Sequence, residues 1–129
     1  MSYIILAVED EKPILDLLKE ELIKLGKNIN LVQAFTLSQG FYTFNVINQI
    51  GINIFCSILG GQLGLYSTTL PLLKVMKEKG ISTNIISFSG DEVLQEEQMK
   101  NGCTAQFKKN EIKKMVDFIG RLIADSEKK

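Results

Sequence analysis

The chain contains no histidine. A His general base, a His metal ligand and a phosphohistidine are all excluded by that absence. Cysteine is scarce: Cys56 and Cys103 form no CxxC pair, which argues against a thiolate metal cage and thioredoxin-type chemistry. No sign of charge dominates. Fifteen basic and fifteen acidic residues cancel, so the balance gives no pull toward nucleic acid or an anionic membrane. Long apolar runs are missing as well. The stretch from Phe41 to Leu59 is interrupted by Asn45, Asn48, Gln49, Gly51 and Asn53, and reads as a helix followed by a strand, not as a membrane span. The start, MSYIILAVEDE, lacks a basic region, and its apolar run is short for a signal peptide. Two thiols without a leader lead us to expect a reducing, cytoplasmic setting.

What remains is an ordinary globular composition. The 129 residues (14.5 kDa) are 45% hydrophobic and 23% charged, enough for one domain with its own core. We expect that domain to span residues 1–125, with a charged tail at 126–129. There is no internal repeat and no Pro/Gly/Ser linker.

Short apolar runs alternate with helical periodicity. Tyr3 to Val8 reads as a strand. Pro13 suits the first turn of a helix whose Ile14, Leu18, Leu22 and Leu25 share a face, and Gly26 closes it. Asn30 to Ala34 is a second strand and Leu37 to Ile50 a second helix, with Leu37, Phe41, Phe44 and Ile47 on one side. The third strand is placed at Ile52 to Cys56, before a flexible loop at Gly60, Gly61 and Gly64. Leu70 to Lys79 is the third helix, Asn84 to Phe88 the fourth strand, Glu92 to Asn101 a short polar helix and Thr104 to Phe107 the fifth strand. Ile112, Met115, Val116, Ile119, Leu122 and Ile123 then line one face of a last amphipathic helix. Such alternation predicts a doubly wound α/β fold. Its five-stranded parallel sheet has flavodoxin-like order 2-1-3-4-5 and helices on both faces. Ligands in such sheets sit beyond the carboxyl ends of the strands.

Those ends carry Glu9-Asp10-Glu11, Ser57, Ser89-Gly90 and Lys108-Lys109. Adjacent carboxylates, a hydroxyl and a lysine on one rim are the parts of an acidic metal-and-phosphate site. With Leu6-Ala-Val-Glu-Asp-Glu11, Ile52-Asn-Ile-Phe-Cys-Ser57, Ile85-Ile-Ser-Phe-Ser-Gly90 and Gly102-Cys-Thr-Ala-Gln-Phe-Lys-Lys109 in this order, nearly the whole chain resembles the receiver domain of bacterial two-component response regulators, the CheY-like fold. The resemblance implies that Glu9 and Asp10 match an acidic pair that holds Mg²⁺, and that Lys109 matches a lysine that pairs with a phosphoryl group. A strand-four hydroxyl would bond that group. The Phe-Ser-Gly ending favours Ser89, counting back from Gly102 favours Ser87, and Ser89 is preferred.

The departures are as informative. The resemblance puts Ser57 where the phosphoacceptor aspartate stands. A neutral hydroxyl is a weak Mg²⁺ ligand and cannot form an acyl phosphate. Gly61 stands where that family has proline, Asn110 follows Lys109 where it again has proline, and Gln106 occupies the aromatic switch position. Acceptor, loop and switch depart together, as in a pseudo-receiver that has kept the fold and lost phosphotransfer.

The expected function is therefore a phosphorylation-independent interaction module in two-component-type signalling, not an enzyme. Residues 92–123 would dock a signalling partner or a second copy, with acidic Glu96 and Glu97 against basic Lys113 and Lys114. No nucleic acid, membrane or cofactor is expected beyond weak Mg²⁺ at Glu9 and Asp10. The plainer role for those two is an ion pair with Lys109. A run such as Glu92 to Gln98 is ordinarily a solvated face, and Cys56 ordinarily core filler. A working receiver using Glu9 or Asp10 as acceptor is the first alternative. A flavodoxin-like ligand binder using the glycine loop is the second, although that loop matches no P-loop or dinucleotide pattern.

Overall fold

The computed structural model describes residues 2–65, 67–80 and 84–128. Twelve elements follow one another: β1 (Tyr3–Val8), α1 (Lys12–Ile23), β2 (Ile29–Ala34), α2 (Leu37–Gln49), β3 (Cys56–Gly60), β4 (Gln62–Leu63), β5 (Ser67–Thr68), α3 (Leu70–Lys79), β6 (Ile85–Phe88), α4 (Glu92–Lys100), β7 (Ala105–Phe107) and α5 (Ile112–Glu127). Five strands form one parallel sheet in the order β2-β1-β3-β6-β7. That is the doubly wound, flavodoxin-like order expected from the alternation.

Each face of the sheet carries its own core. On one side Ile5, Ala7, Ile58, Ile86 and Phe88 meet Leu15, Leu18 and Leu22 of α1 and Met115, Ile119 and Ile123 of α5. On the other, Leu6, Val8 and Leu59 meet Phe44 and Ile47 of α2 and Leu72, Leu73 and Met76 of α3. Fully burying one such side chain is worth about 1.5–3 kcal/mol, so the central strands, apolar on both faces, anchor the fold. Pro13 stands in the first turn of α1, and Thr36 caps α2 by accepting from the Gln39 N–H at 3.1 Å.

Three expectations need correction. The third strand does not end at Cys56. It begins there and runs to Gly60, because the apolar run continues through Ile58 and Leu59 and a serine is small enough to be buried inside it. The glycine segment is not simply a flexible loop. Gly60 closes β3, and Gln62–Leu63 pairs antiparallel with Ser67–Thr68, burying Leu63. The tail is not detached at 126, since α5 continues to Glu127. The Tyr3 hydroxyl and the Lys27 ammonium each donate to the Glu127 carboxylate at 2.8 Å, tying the last turn to β1 and to the turn before β2. Lys129 lies outside the described residues. Among the described residues no helix is long and apolar enough to cross a membrane.

Candidate functional site

The strand ends of the sheet converge on a rim built around Glu9. Its backbone N–H still bonds Ala34 across the sheet at 2.9 Å, and its side chain is almost wholly buried. A carboxylate there needs partners, because desolvating an unpaired charge is prohibitive. Oε1 accepts from the N–H groups of Asp10 (3.0 Å) and Glu11 (3.4 Å), and Oε2 is paired with the Lys109 ammonium. Lys109 reaches in from the turn after β7. It lies 5.0 Å from the centroid of the Phe88 ring and 3.9 Å from Glu11. Burial pushes the Lys109 amine down, to about 8, while the facing Glu9 carboxylate works against that shift.

Asp10 turns the other way. It is exposed, and its Oδ2 accepts from the Gly64 N–H at 2.9 Å, pinning the β4–β5 hairpin to the end of β1. Gly64 can present that N–H because its φ is +75°. The expected Lys109 ion pair thus forms with Glu9 and not with Asp10.

The position beside Glu9 at the end of β3 belongs to Gly60. Leu59 is the register partner of Val8, so Gly60 is the strand residue that faces the acid. A Cβ there would stand 3.0 Å from Glu9 Oε2, and one on Gly61 only 2.5 Å from Ser89 Oγ. Ser57 lies three residues deeper, buried between Leu6 and Ile85. The structure therefore corrects the assignment of Ser57 to the strand-end position: that position holds no side chain at all. The register error came from placing the strand at Ile52 to Cys56, whereas it runs from Cys56 to Gly60.

Ser89 follows β6 directly. It is buried, and its Oγ accepts from the Asp91 N–H at 3.0 Å. Asp91 in turn caps α4, accepting from Leu94 N–H. Ser87 lies inside β6, in register with the exposed Gln106 of β7. Its hydroxyl opens a buried relay that the sequence reading missed. Ser87 Oγ–H donates to Gln98 Oε1 (2.6 Å), Gln98 Nε2–H to Thr69 Oγ1 (2.8 Å), and Thr69 Oγ1–H to the Gly60 carbonyl (2.6 Å). Gln95 donates to the Phe107 carbonyl at 3.0 Å. Gln95 and Gln98, assigned above to a solvated run, are thus buried and inward-facing. Their i, i+3 spacing beside Leu94 and Met99 was the available signal.

Carboxylate oxygens of Glu9, Asp10 and Glu11 can lie within 4.8 Å of one another, which raises the question of a divalent cation. The donor set does not fit Mg²⁺. Both Glu9 oxygens are committed to N–H groups and an ammonium, one Asp10 oxygen to Gly64, and Gly60 supplies no third inward carboxylate. Mg²⁺ demands near-octahedral oxygen ligation, and an ammonium already supplies the positive charge at the centre of this cluster. Both thiols are buried, and burial raises Cys56 and Cys103 to about 12. Neither has the exposed, acidic character of a reactive cysteine.

No protein-family model matches this sequence, and no curated protein is similar to it at a significant level. Solved structures do match. A CheY-like response regulator receiver domain protein from Methanospirillum hungatei JF-1 aligns with a TM-score of 0.76 at 19% identity, covering 99% of this chain and 98% of its own. The signal receiver domain of an HD domain-containing protein from Pseudomonas fluorescens Pf-5 aligns with a TM-score of 0.78 at 16% identity over 100% of both chains. A response regulator from Thermotoga maritima reaches 0.73 at 16%, over 96% and 99%. What these proteins share with this chain is the fold.

Proposed function

We propose that this protein is a receiver-like domain of two-component-type signalling that acts without phosphoryl transfer, as a docking module and not as an enzyme. One observation carries the reading: the end of β3 is Gly60, and the space beside it is closed by the Glu9–Lys109 pair. An acyl phosphate needs a carboxylate nucleophile at that rim, a cation to neutralise the incoming oxygens and a free lysine to hold them. Here the nucleophile position has no side chain, and the lysine is occupied by the acid that would otherwise help to hold the cation. Solved structures of the same fold that are response-regulator receiver domains support the signalling context.

The docking surface in this reading is made by α4, β7 and α5, residues 92–123. It presents Glu92, Val93, Glu96, Glu97 and Gln106 to solvent and would engage a signalling protein in the cytoplasm. Lys114 is already paired with Glu111 at 3.3 Å and Glu92 with Lys108 at 3.7 Å, which leaves Glu96, Glu97 and Lys113 as charged features of this face. No Mg²⁺ dependence is expected.

The test is incubation of the purified chain with acetyl phosphate and Mg²⁺, read by intact mass. An unmodified mass is expected. A Mg²⁺-dependent phosphoprotein overturns the reading, and its loss in Asp10→Asn would identify the atypical acceptor. An amide NMR titration with Mg²⁺ and then beryllofluoride, on wild type and on Gly60→Asp, checks the same point. Shifts near Asp10 and Lys109 should appear only in the variant.

A further inference from the structure

From Asn28 to Leu73 the chain carries no Asp, Glu, Lys or Arg, so all thirty charged residues lie outside that stretch. The stretch builds β2, α2, β3 and the β4–β5 hairpin. With β3 buried at the centre of the sheet, the charge-free surface concentrates on β2 and α2.

β2 is an edge strand. The Tyr3 N–H bonds the Asn28 carbonyl and the Glu9 N–H bonds the Ala34 carbonyl, both at 2.9 Å. Hydrogen bonding alternates along a parallel strand, so Ile29, Leu31 and Gln33 turn their backbone N–H and C=O groups away from β1. Folded proteins guard such edges with lysine, proline, a bulge or a covering element. The sequence Ile29-Asn-Leu-Val-Gln-Ala34 has no charge and no proline, and its register with β1 is unbroken over six pairs. The opposite edge differs: β7 has three residues and is followed at once by Lys108 and Lys109.

Beside this edge α2 and its C-terminal capping residue expose Tyr42 (72%), Val46 (37%) and Ile50 (62%). Their spacing of four makes one stripe, and the residues around it are Gln39, Asn45 and Gln49, all neutral. Ile23 (68%), at the end of α1, extends the apolar surface on the other side of the sheet.

We propose that β2 and the outer face of α2 form a homodimer interface, in which the β2 edges of two copies pair antiparallel across a two-fold axis. Charge selects the occupant. Along β2 and α2 themselves a charged partner would desolvate its ions without a counter-ion. The cations that border β2 on the α1 side are Lys19 and Lys27, the latter already paired with Glu127, whereas a second copy brings an equally neutral β2 and α2. The Ile29 N–H is already bonded to the Lys27 carbonyl at 3.0 Å, and a two-fold gives the outward groups of Leu31 and Gln33 equivalent partners and sets α2 against α2 on one side of a continuous sheet. The outward residues of β2 and α2 make a patch smaller than the roughly 20–30 residues per side of a standard interface, so the dimer is expected to be a weak, concentration-dependent one. The α4–β7–α5 face and the Glu9 rim stay free in such a dimer.

Sedimentation velocity of the full chain over a wide concentration range tests this. We expect a wild-type dimer. Tyr42→Lys with Ile50→Lys should weaken it at least tenfold while far-ultraviolet circular dichroism stays unchanged. Gln33→Pro, which removes an outward N–H and leaves the bonds to β1 intact, should do the same. Val93→Lys on α4 should have no effect. Leu31 and Gln33 amides should exchange more slowly in concentrated than in dilute samples. A wild type that is monomeric at every concentration overturns the proposal, as does a dimer broken by Val93→Lys and indifferent to the α2 pair. The α2 pair sits on exposed positions, so it decides the question even if Gln33→Pro fails to fold.

Discussion

Helices α4 and α5 both pack beside β7, yet they bury opposite kinds of surface. α5 turns Ile112, Met115, Val116, Ile119 and Ile123 inward and keeps its charges in water. α4 turns Gln95 and Gln98 inward and leaves Val93 exposed. Apolar burial is non-directional and scales with area, so α5 is held firmly but with little demand on where each neighbour's atoms lie. A buried amide is useful only if its donors and acceptors meet partners at the right distance. The position of α4 is therefore set by Ser87, Thr69 and the Phe107 carbonyl, and through Thr69 it is tied to Gly60 at the rim. One helix contributes stability. The other links the proposed docking face to the candidate site.

This contrast can be broken most forcefully from the α5 side. Ile119→Ala should cost about 2–5 kcal/mol of unfolding free energy, measured by urea denaturation, with no specific change at the rim. Gln98→Ala should cost less, about 1–3 kcal/mol, from the polar groups left without partners. Its mark is different in kind: amide shifts at Thr69, Gly60 and Glu9, some distance from the substitution. If only residues of α4 shift, the relay is not a coupling path.

Alkaline titration should act on both regions, since Cys56 sits in the core shared with α5 and Cys103 follows α4. Each folded-state thiol is raised to about 12 from an ordinary value of 9.0. Between those values the unfolded chain loses a proton that the folded chain keeps. The thiol contribution is thus fully present below pH 9 and declines toward pH 12, by at most about 1.4 kcal/mol per pH unit per thiol. Replacing either cysteine with alanine should flatten that decline in stability measured against pH. The smallest effect is expected of Val93→Lys, within about 0.5 kcal/mol, so any loss of partner binding in that variant would report on the surface itself.

Helix α5 was legible because its apolar spacing repeats over 16 residues, and Lys109 was placed on the rim by the strand before it. Elsewhere the same reasoning fell short at particular residues. Ser57 was put at a strand end because the third strand was placed at Ile52 to Cys56, although the apolar run continues through Ile58 and Leu59 and a hydroxyl can be buried inside it. Gln95 and Gln98 were assigned to solvent because glutamine usually lies there. The relay joins four separate segments, and its partners are neighbours only after folding.

Order of elements, the parallel sheet and the convergence of acidic and basic residues on one rim were determined by the sequence alone. They follow from periodicity and from the geometry of parallel crossovers. Tertiary structure alone decided that Gly60 and not Ser57 stands beside Glu9, that Lys109 closes on Glu9 while Asp10 holds Gly64, and that glutamines line the inner face of α4. The physical reason is common to all three. Strand register and buried polar pairing depend on distances between segments far apart in the chain, and a shift of a few residues along one strand exchanges a buried neighbour for a rim position.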